Sequence, residues 1–187
     1  MKQWQNVTNL TPKSFTCGHC GKIVASVAGY FTGDQPQRFV YVCPNCSRPT
    51  YFAEDGTQLP GVAPGVEVEH LPDDVAKLYR EARNCVAIGS YTSAVLSCRK
   101  LLMHIAVAQQ ASAGKSFVEY VEYLANKGYV PPNGRGWVDH IRTKGNEANH
   151  EIQLMKKADA DELISFAEML LKFIYEFPER VPKPSKP

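Results

Sequence analysis

Two short stretches decide how this chain folds: Cys17-Gly-His-Cys20-Gly21 and Cys43-Pro-Asn-Cys46-Ser47. Each holds two cysteines with two residues between them, and 22 residues separate Cys20 from Cys43. A two-residue spacer lets a tight turn point both sulfurs at one ion, and Gly18, Gly21 and Pro44 are residues that such turns use. The intervening segment is long enough for a β-hairpin, which would bring the two knuckles together into a tetrahedral sulfur shell. The spacing therefore predicts one structural zinc per chain on Cys17, Cys20, Cys43 and Cys46. Four thiolates leave no open position on the ion, so its role would be to hold together a sheet too small for a core of its own. Two disulfides, an iron site and a redox CxxC pair are the competing readings. A reducing compartment argues against the first, and the lack of a βαβ pattern against the last. His19 lies inside the first knuckle, but with four thiolates available it is expected on the surface.

Outward from the knuckles, Ile23–Tyr30, Arg38–Val42 and Thr50–Ala53 are rich in β-branched and aromatic residues and read as strands. Phe31–Gln37 is a turn-rich hairpin loop between the first two. Residues 56–66 are rich in Gly and Pro, and beyond them the hydrophobic period becomes helical. Pro72, Asp73 and Asp74 open a first helix, with Val75, Leu78, Tyr79, Ala82 and Val86 on one face and Gly89 as a stop. A second helix over Tyr91–Gln110 places Ala94, Cys98, Leu101, Leu102 and Ile105 on one stripe. Ser116 and Glu119 form a capping-box pattern for a third over Phe117–Asn126. A fourth is expected from Trp137, weakened by Gly145. A fifth starts at Asp159, turns Leu163, Phe166, Leu170, Ile174 and Phe177 inward, and stops at Pro178. The fold class is α+β, a small N-terminal β zinc ribbon followed by an all-α bundle of about five helices. The domains are 1–60 for the ribbon, 61–70 for a linker, 71–178 for the bundle and 179–187 for a disordered tail.

Composition narrows the class. The chain has 187 residues with 44% apolar and 21% charged residues, ordinary for a globular protein. This excludes a disordered chain, a collagen and a coiled-coil rod. A formal charge of +2 excludes the global basic field that drives indiscriminate nucleic-acid binding. Met1–Leu10 lacks the apolar run of a secretory signal, and no stretch approaches the roughly 20 apolar residues of a membrane span. The expectation is a cytoplasmic protein with no membrane partner. The remaining cysteines, Cys85 and Cys98, lie beside apolar residues on helical faces and read as buried, inert thiols.

A second informative segment is Ile141–Ile152, IRTKGNEANHEI. Arg142, Asn146 and His150 are spaced four apart, and each such step on a helix turns the side chain by only about 40°, so the three share a face. An arginine can hold a phosphate, an asparagine can position it, and an imidazole can move a proton on a ribose hydroxyl or leaving oxygen. The same spacing also describes a solvated helix face. Residues 131–157 carry five Lys and Arg against three Asp and Glu, while residues 158–187 carry four against six. The motif segment is thus basic beside an acidic last helix. Arg99 and Lys100 on the second helix read either as a salt-bridged pair or as phosphate contacts. Tyr120, Tyr123, Tyr129 and Trp137 read as bundle packing rather than base stacking.

Leu71-Pro72, Leu78-Tyr79-Arg80-Glu81-Ala82, the break at Gly89, Ala94–Arg99 and above all Arg142-x-x-Gly145-Asn146-x-x-x-His150 resemble the bacterial family called domain of unknown function 4145. The resemblance covers roughly residues 70–178. That family resembles the HEPN helical domains, small and often dimeric bundles, many of them metal-independent ribonucleases of toxin, antiphage and RNA-processing systems. The resemblance implies Arg142 as phosphate ligand, Asn146 as positioner and His150 as acid/base, with Lys144, Arg99 and Lys100 as nucleic-acid contacts. It implies a homodimer through the bundle, RNA or DNA as ligand, and a protein partner in a defence complex. The chain departs from the nuclease pattern: seven residues separate Arg142 from His150 where the nucleases have four to six, and Thr143 follows the arginine where they usually have Asn, Asp or His. The alternative reading is a non-catalytic zinc-ribbon adaptor or dimerisation module that binds a protein partner or DNA.

Overall fold

The computed structural model describes residues 4–131, 134, 136–141 and 154–181. The fold is α+β, with an N-terminal antiparallel sheet and a helical C-terminal part. The chain divides into two compact units, Met1–Ala63 and Pro64–Pro187.

The first unit is a five-stranded meander in the order β1-β2-β3-β4-β5, comprising β1 (Thr8–Thr16), β2 (Ile23–Phe31), β3 (Phe39–Val42), β4 (Pro49–Phe52) and β5 (Gln58–Leu59). The three strands read from the sequence are β2, β3 and β4, and the structure adds one at each edge. β1 escapes a pattern reading because TNLTPKSFT contains a proline and few apolar residues. It pairs Phe15 with Val24 and Thr16 with Ile23, and its register shifts between Asn9 and Lys13. Pro12 falls in that shift, where the ladder is already interrupted. One face of the sheet packs Phe15, Tyr41 and Phe52 edge to face or tilted, with ring centroids 5.2 to 6.2 Å apart. Cys17 and Cys43 complete this small core.

The second unit contains α1 (Asp73–Ala87), α2 (Tyr91–Ala108), α3 (Phe117–Asn126) and α4 (Lys157–Leu171). A π turn over Lys172–Glu176 and α5 (Phe177–Arg180) continue from α4, and residues 136–141 are also helical. The stripe predicted for α2 is fully buried: Ala94, Cys98, Leu101, Leu102 and Ile105 each have no exposed surface. The capping box on α3 forms as its sequence implies, with Glu119 N–H donating to Ser116 Oγ at 3.3 Å and Ser116 N–H donating to Glu119 Oε2 at 2.8 Å.

The last helix differs from its sequence reading. Pro178 does not stop it, because it lies in the first turn of α5, where a missing N–H costs no intrahelical bond. The π turn inserts one extra residue per turn, so the apolar stripe slips around the helix. Phe177 therefore faces out at 39% exposure, and Glu176 is buried in its place.

Candidate functional site

The knuckles are built alike. Cys17 N–H donates to the Lys22 carbonyl and Gly21 N–H to the Cys17 carbonyl, at 2.9 and 2.8 Å. In the second knuckle, Cys43 N–H donates to Arg48 and Ser47 N–H to Cys43, both at 2.9 Å. Gly21 and Ser47 occupy the same turn position, with φ of 68° and 57°. Such a turn aims both sulfurs inward, and the strand pairing Tyr41↔Thr50 and Val42↔Pro49 fixes the second knuckle at one end of the sheet. The Thr16↔Ile23 pair fixes the first at the same end.

The four sulfurs all lie within 4.8 Å of one another, so the quartet could hold a metal ion. Cys17 Sγ is 3.8 Å from Cys46 Sγ, and Cys20 Sγ is 3.9 Å from Cys43 Sγ. A tetrahedron with metal–sulfur bonds of about 2.3 Å has edges of about 3.8 Å, so the donor set fits such an ion. The thiols are free, and these separations are nearly twice a disulfide bond of about 2.05 Å. Cys17 and Cys43 are buried, while Cys20 and Cys46 are partly exposed.

Electrostatics point the same way. Burial, together with the Cys43, Cys17 and Cys20 thiols, pushes Cys46 up to about 12 against the opposing Arg48 N–H. Burial also raises Cys17, against hydrogen bonds from the His19 and Cys20 backbone. At Cys20 burial is outweighed by the Lys22 N–H, the Asn45 amide and the neighbouring thiols, which bring it down to about 7. Asn45 Nδ2 donates to Cys20 Sγ at 3.5 Å. Thiolates crowded this closely repel one another, and a divalent ion among them would offset that repulsion. His19 is not part of this shell, since its exposed ring donates from Nε2 to the Pro49 carbonyl at 3.0 Å.

The helical unit holds a cleft lined by Val95, Arg99, Phe117, Ile141, Met155, Asp159, Glu162 and Leu163. The Arg99 guanidinium stacks over Phe117, 4.5 Å from its ring centroid, and the residue is only 7% exposed. Burial disfavours its charge. Lys100 is exposed on α2, next to the buried Arg99. His140 Nε2 lies 2.9 Å from Glu162 Oε2, an interaction that sequence spacing gave no sign of. Arg142, Lys144, Asn146 and His150 lie outside the described residues. Ile141, next to Arg142, and Met155 line this cleft, whereas Leu154, the first described residue after the motif, is 79% exposed. The aromatic residues pack within the bundle. Trp137 meets Phe166 edge to face at 5.1 Å, and the Tyr123 and Tyr129 hydroxyls donate to Gln109 at 2.7 and 2.6 Å. Cys98 is fully buried and its thiol is pushed up to about 12, by burial and then by Cys85.

Among the described residues no helix is long and apolar enough to cross a membrane. The family model described as "Domain of unknown function (DUF4145)" matches residues 80–186, more than half of the chain. None of the curated proteins or solved structures compared with the chain matches it.

Proposed function

The chain belongs to the DUF4145 family, and on that premise we propose that it is a zinc-ribbon protein whose HEPN-like helical unit engages RNA as a metal-independent ribonuclease of a bacterial or phage defence setting. Zinc is the structural ion of the cysteine quartet, one per chain on Cys17, Cys20, Cys43 and Cys46. Zinc supplies no chemistry to the reaction in this reading; it holds the sheet.

The observation that carries the RNA reading is the bracketing of the motif. Ile141, the residue before Arg142, and Met155, five residues past His150, line one cleft together with the buried Arg99. Arg142 would bind the scissile phosphate, Asn146 would orient it and His150 would transfer the proton. Lys144 and Lys100 would contact backbone phosphates outside the cleft, with Arg99 inside it. A homodimer through the bundle belongs to the same reading.

The test is incubation of purified protein with end-labelled RNAs of varied sequence and structure, without added divalent ions, beside Arg142→Ala and His150→Ala. Cleavage by the wild type and its loss in both variants is expected. An RNA panel left intact by the wild type sinks the ribonuclease reading of the isolated protein. One observation favours the alternative, a non-catalytic adaptor for a protein or DNA partner. Ile23, Val27 and Phe31 of β2 are apolar and 84%, 45% and 50% exposed, which a sheet with one solvated face does not ordinarily show. A salt-dependent shift of DNA without cleavage would favour that adaptor.

A further inference from the structure

Residues 64–69 have no regular secondary structure, yet the helical unit devotes several of its charged and polar side chains to their backbone. Arg83 of α1 donates from Nε to the Pro64 carbonyl at 2.7 Å and from Nη2 to the Gly65 carbonyl at 3.0 Å. Its Nη1 donates to Glu67 Oε1 at 2.8 Å. Tyr79, also on α1, donates its hydroxyl to the Val66 carbonyl at 3.1 Å. From the far side, Glu168 of α4 accepts the Val66 N–H at 3.0 Å, and Glu176 in the π turn accepts the Glu69 N–H at 3.1 Å. Arg180 then holds Glu176 at 2.6 Å. Val68 inserts into the helical core.

Arg83 is 8% exposed, Glu176 4% and Tyr79 1%. Burying a guanidinium and a carboxylate is costly unless each is hydrogen-bonded, and here their partners are largely main-chain groups of one short segment. Gly65 fits the same cradle. Its φ is +69°, and a Cβ there would lie 2.6 Å from Glu168 Oε2 and 2.9 Å from the Tyr79 hydroxyl. These are the features of a groove that reads an extended peptide, filled by the chain's own strap.

The strap lies between two anchored stretches. Within the sheet unit, Gln58 Nε2 donates to the Pro60 carbonyl at 3.0 Å, and a Cβ on Gly18 of the first knuckle would lie 2.3 and 2.4 Å from the Pro60 and Gly61 carbonyl oxygens. Only Val62 and Ala63 separate this anchorage from Pro64. Release of the strap would lengthen the free stretch from residues 62–63 to residues 62–70, up to Leu71, which packs on the helical core.

We propose that residues 64–69 are a latch, docked in a peptide groove between α1 and the end of α4, and that its docking sets the length of free chain that joins the sheet unit to the helical unit. Docking shortens the tether to Val62 and Ala63, and undocking frees the sheet unit without unfolding the helices. The proposal stands independently of the ribonuclease reading.

Hydrogen–deuterium exchange on the full-length zinc-loaded protein tests it, read at the Val66 and Glu69 amides, with Arg83→Met and Gly65→Ala. Arg83→Met removes the guanidinium, whereas Gly65→Ala sets a Cβ against Glu168 and Tyr79 and leaves every polar side chain of the groove in place. In the wild type both amides should be protected. In each variant their protection should fall by about tenfold or more while α2 and α3 keep theirs. In parallel, 15N relaxation should show the sheet unit tumbling faster in the variants. Unprotected Val66 and Glu69 amides in the wild type would overturn the latch. So would loss of protection across α2 and α3 together with the strap in Gly65→Ala, or unchanged sheet tumbling when the strap is exposed.

Discussion

His19 and Asn45 both sit inside the cysteine knuckles, and their side chains serve different ends. His19 donates to the Pro49 carbonyl, which ties the first knuckle to the second without touching the sulfurs. Asn45 donates to Cys20 Sγ and favours its thiolate. A histidine within a CxxC spacer is a ligand candidate by residue type alone, but here the four sulfurs gather within 4.8 Å of one another while the His19 ring bonds to the Pro49 carbonyl. Cys43→Ser should therefore lose zinc, since removing one of four thiolates opens the shell, while His19→Ala should retain about one zinc per chain. Elemental analysis of the purified variants checks both, and zinc loss in His19→Ala would place the ring in the shell. The quartet was legible in the sequence because each knuckle is set by neighbours within six residues. Arg83 and Glu176 were not, because their partners lie 19 and 107 residues away and nothing local marks a buried charge.

Among the helices, α3 shows how much a local pattern can decide. Ser116 and Glu119 satisfy each other's backbone N–H, so the start of α3 needs no tertiary support. The Ser116 N–H, then its hydroxyl, holds the Glu119 carboxyl below the usual carboxylate range. A folded-state pKa that is depressed adds stability above the unfolded value, and that stability is lost as pH falls through the folded one. Loss of the cap in Ser116→Ala should cost about 1 kcal/mol, and the penalty should shrink as Glu119 is protonated. Urea denaturation followed by helical ellipticity at neutral and acidic pH checks this; a penalty that grows on acidification would contradict it. The end of α4 shows the opposite case. Its stripe of Leu163, Phe166 and Leu170 predicts an inward Phe177, but the π turn at Lys172–Glu176 shifts the register by one residue and puts Glu176 inward. The inserted residue allows Glu176 to reach the Glu69 N–H, a tertiary reason that no helical period encodes.

Across the whole molecule, the two units are stabilised by different physics. The helical unit has a broad apolar core that includes Tyr79, Leu101, Leu102, Leu124, Ile164 and Phe166, each 1% exposed or less. Among its described residues, the apolar core of the sheet unit holds Phe15, Tyr41 and Phe52 besides two of its metal-ligand candidates. Three aromatic side chains contribute about 2–3 kcal/mol each. A structural zinc contributes on the order of 10 kcal/mol or more at neutral pH. With zinc in the quartet, as proposed, the metal term would outweigh the core of the sheet unit, and the helical unit would need no such term. Zinc removal should therefore unfold one unit and spare the other. Trp4 reports on the first, since its Nε1 donates to the Ser47 carbonyl of the second knuckle at 2.8 Å and its ring meets Tyr30 at 6.3 Å. In a Trp137→Phe background, stripping zinc with a thiol-directed reagent and chelator should red-shift the Trp4 emission toward that of a solvated indole. Helical ellipticity should stay within a few per cent of its starting value, because the core of α1 to α4 contains no zinc ligand. Ellipticity lost in step with zinc would mean that the helical unit depends on the metal, and the separation of stabilising forces between the two units would then be wrong.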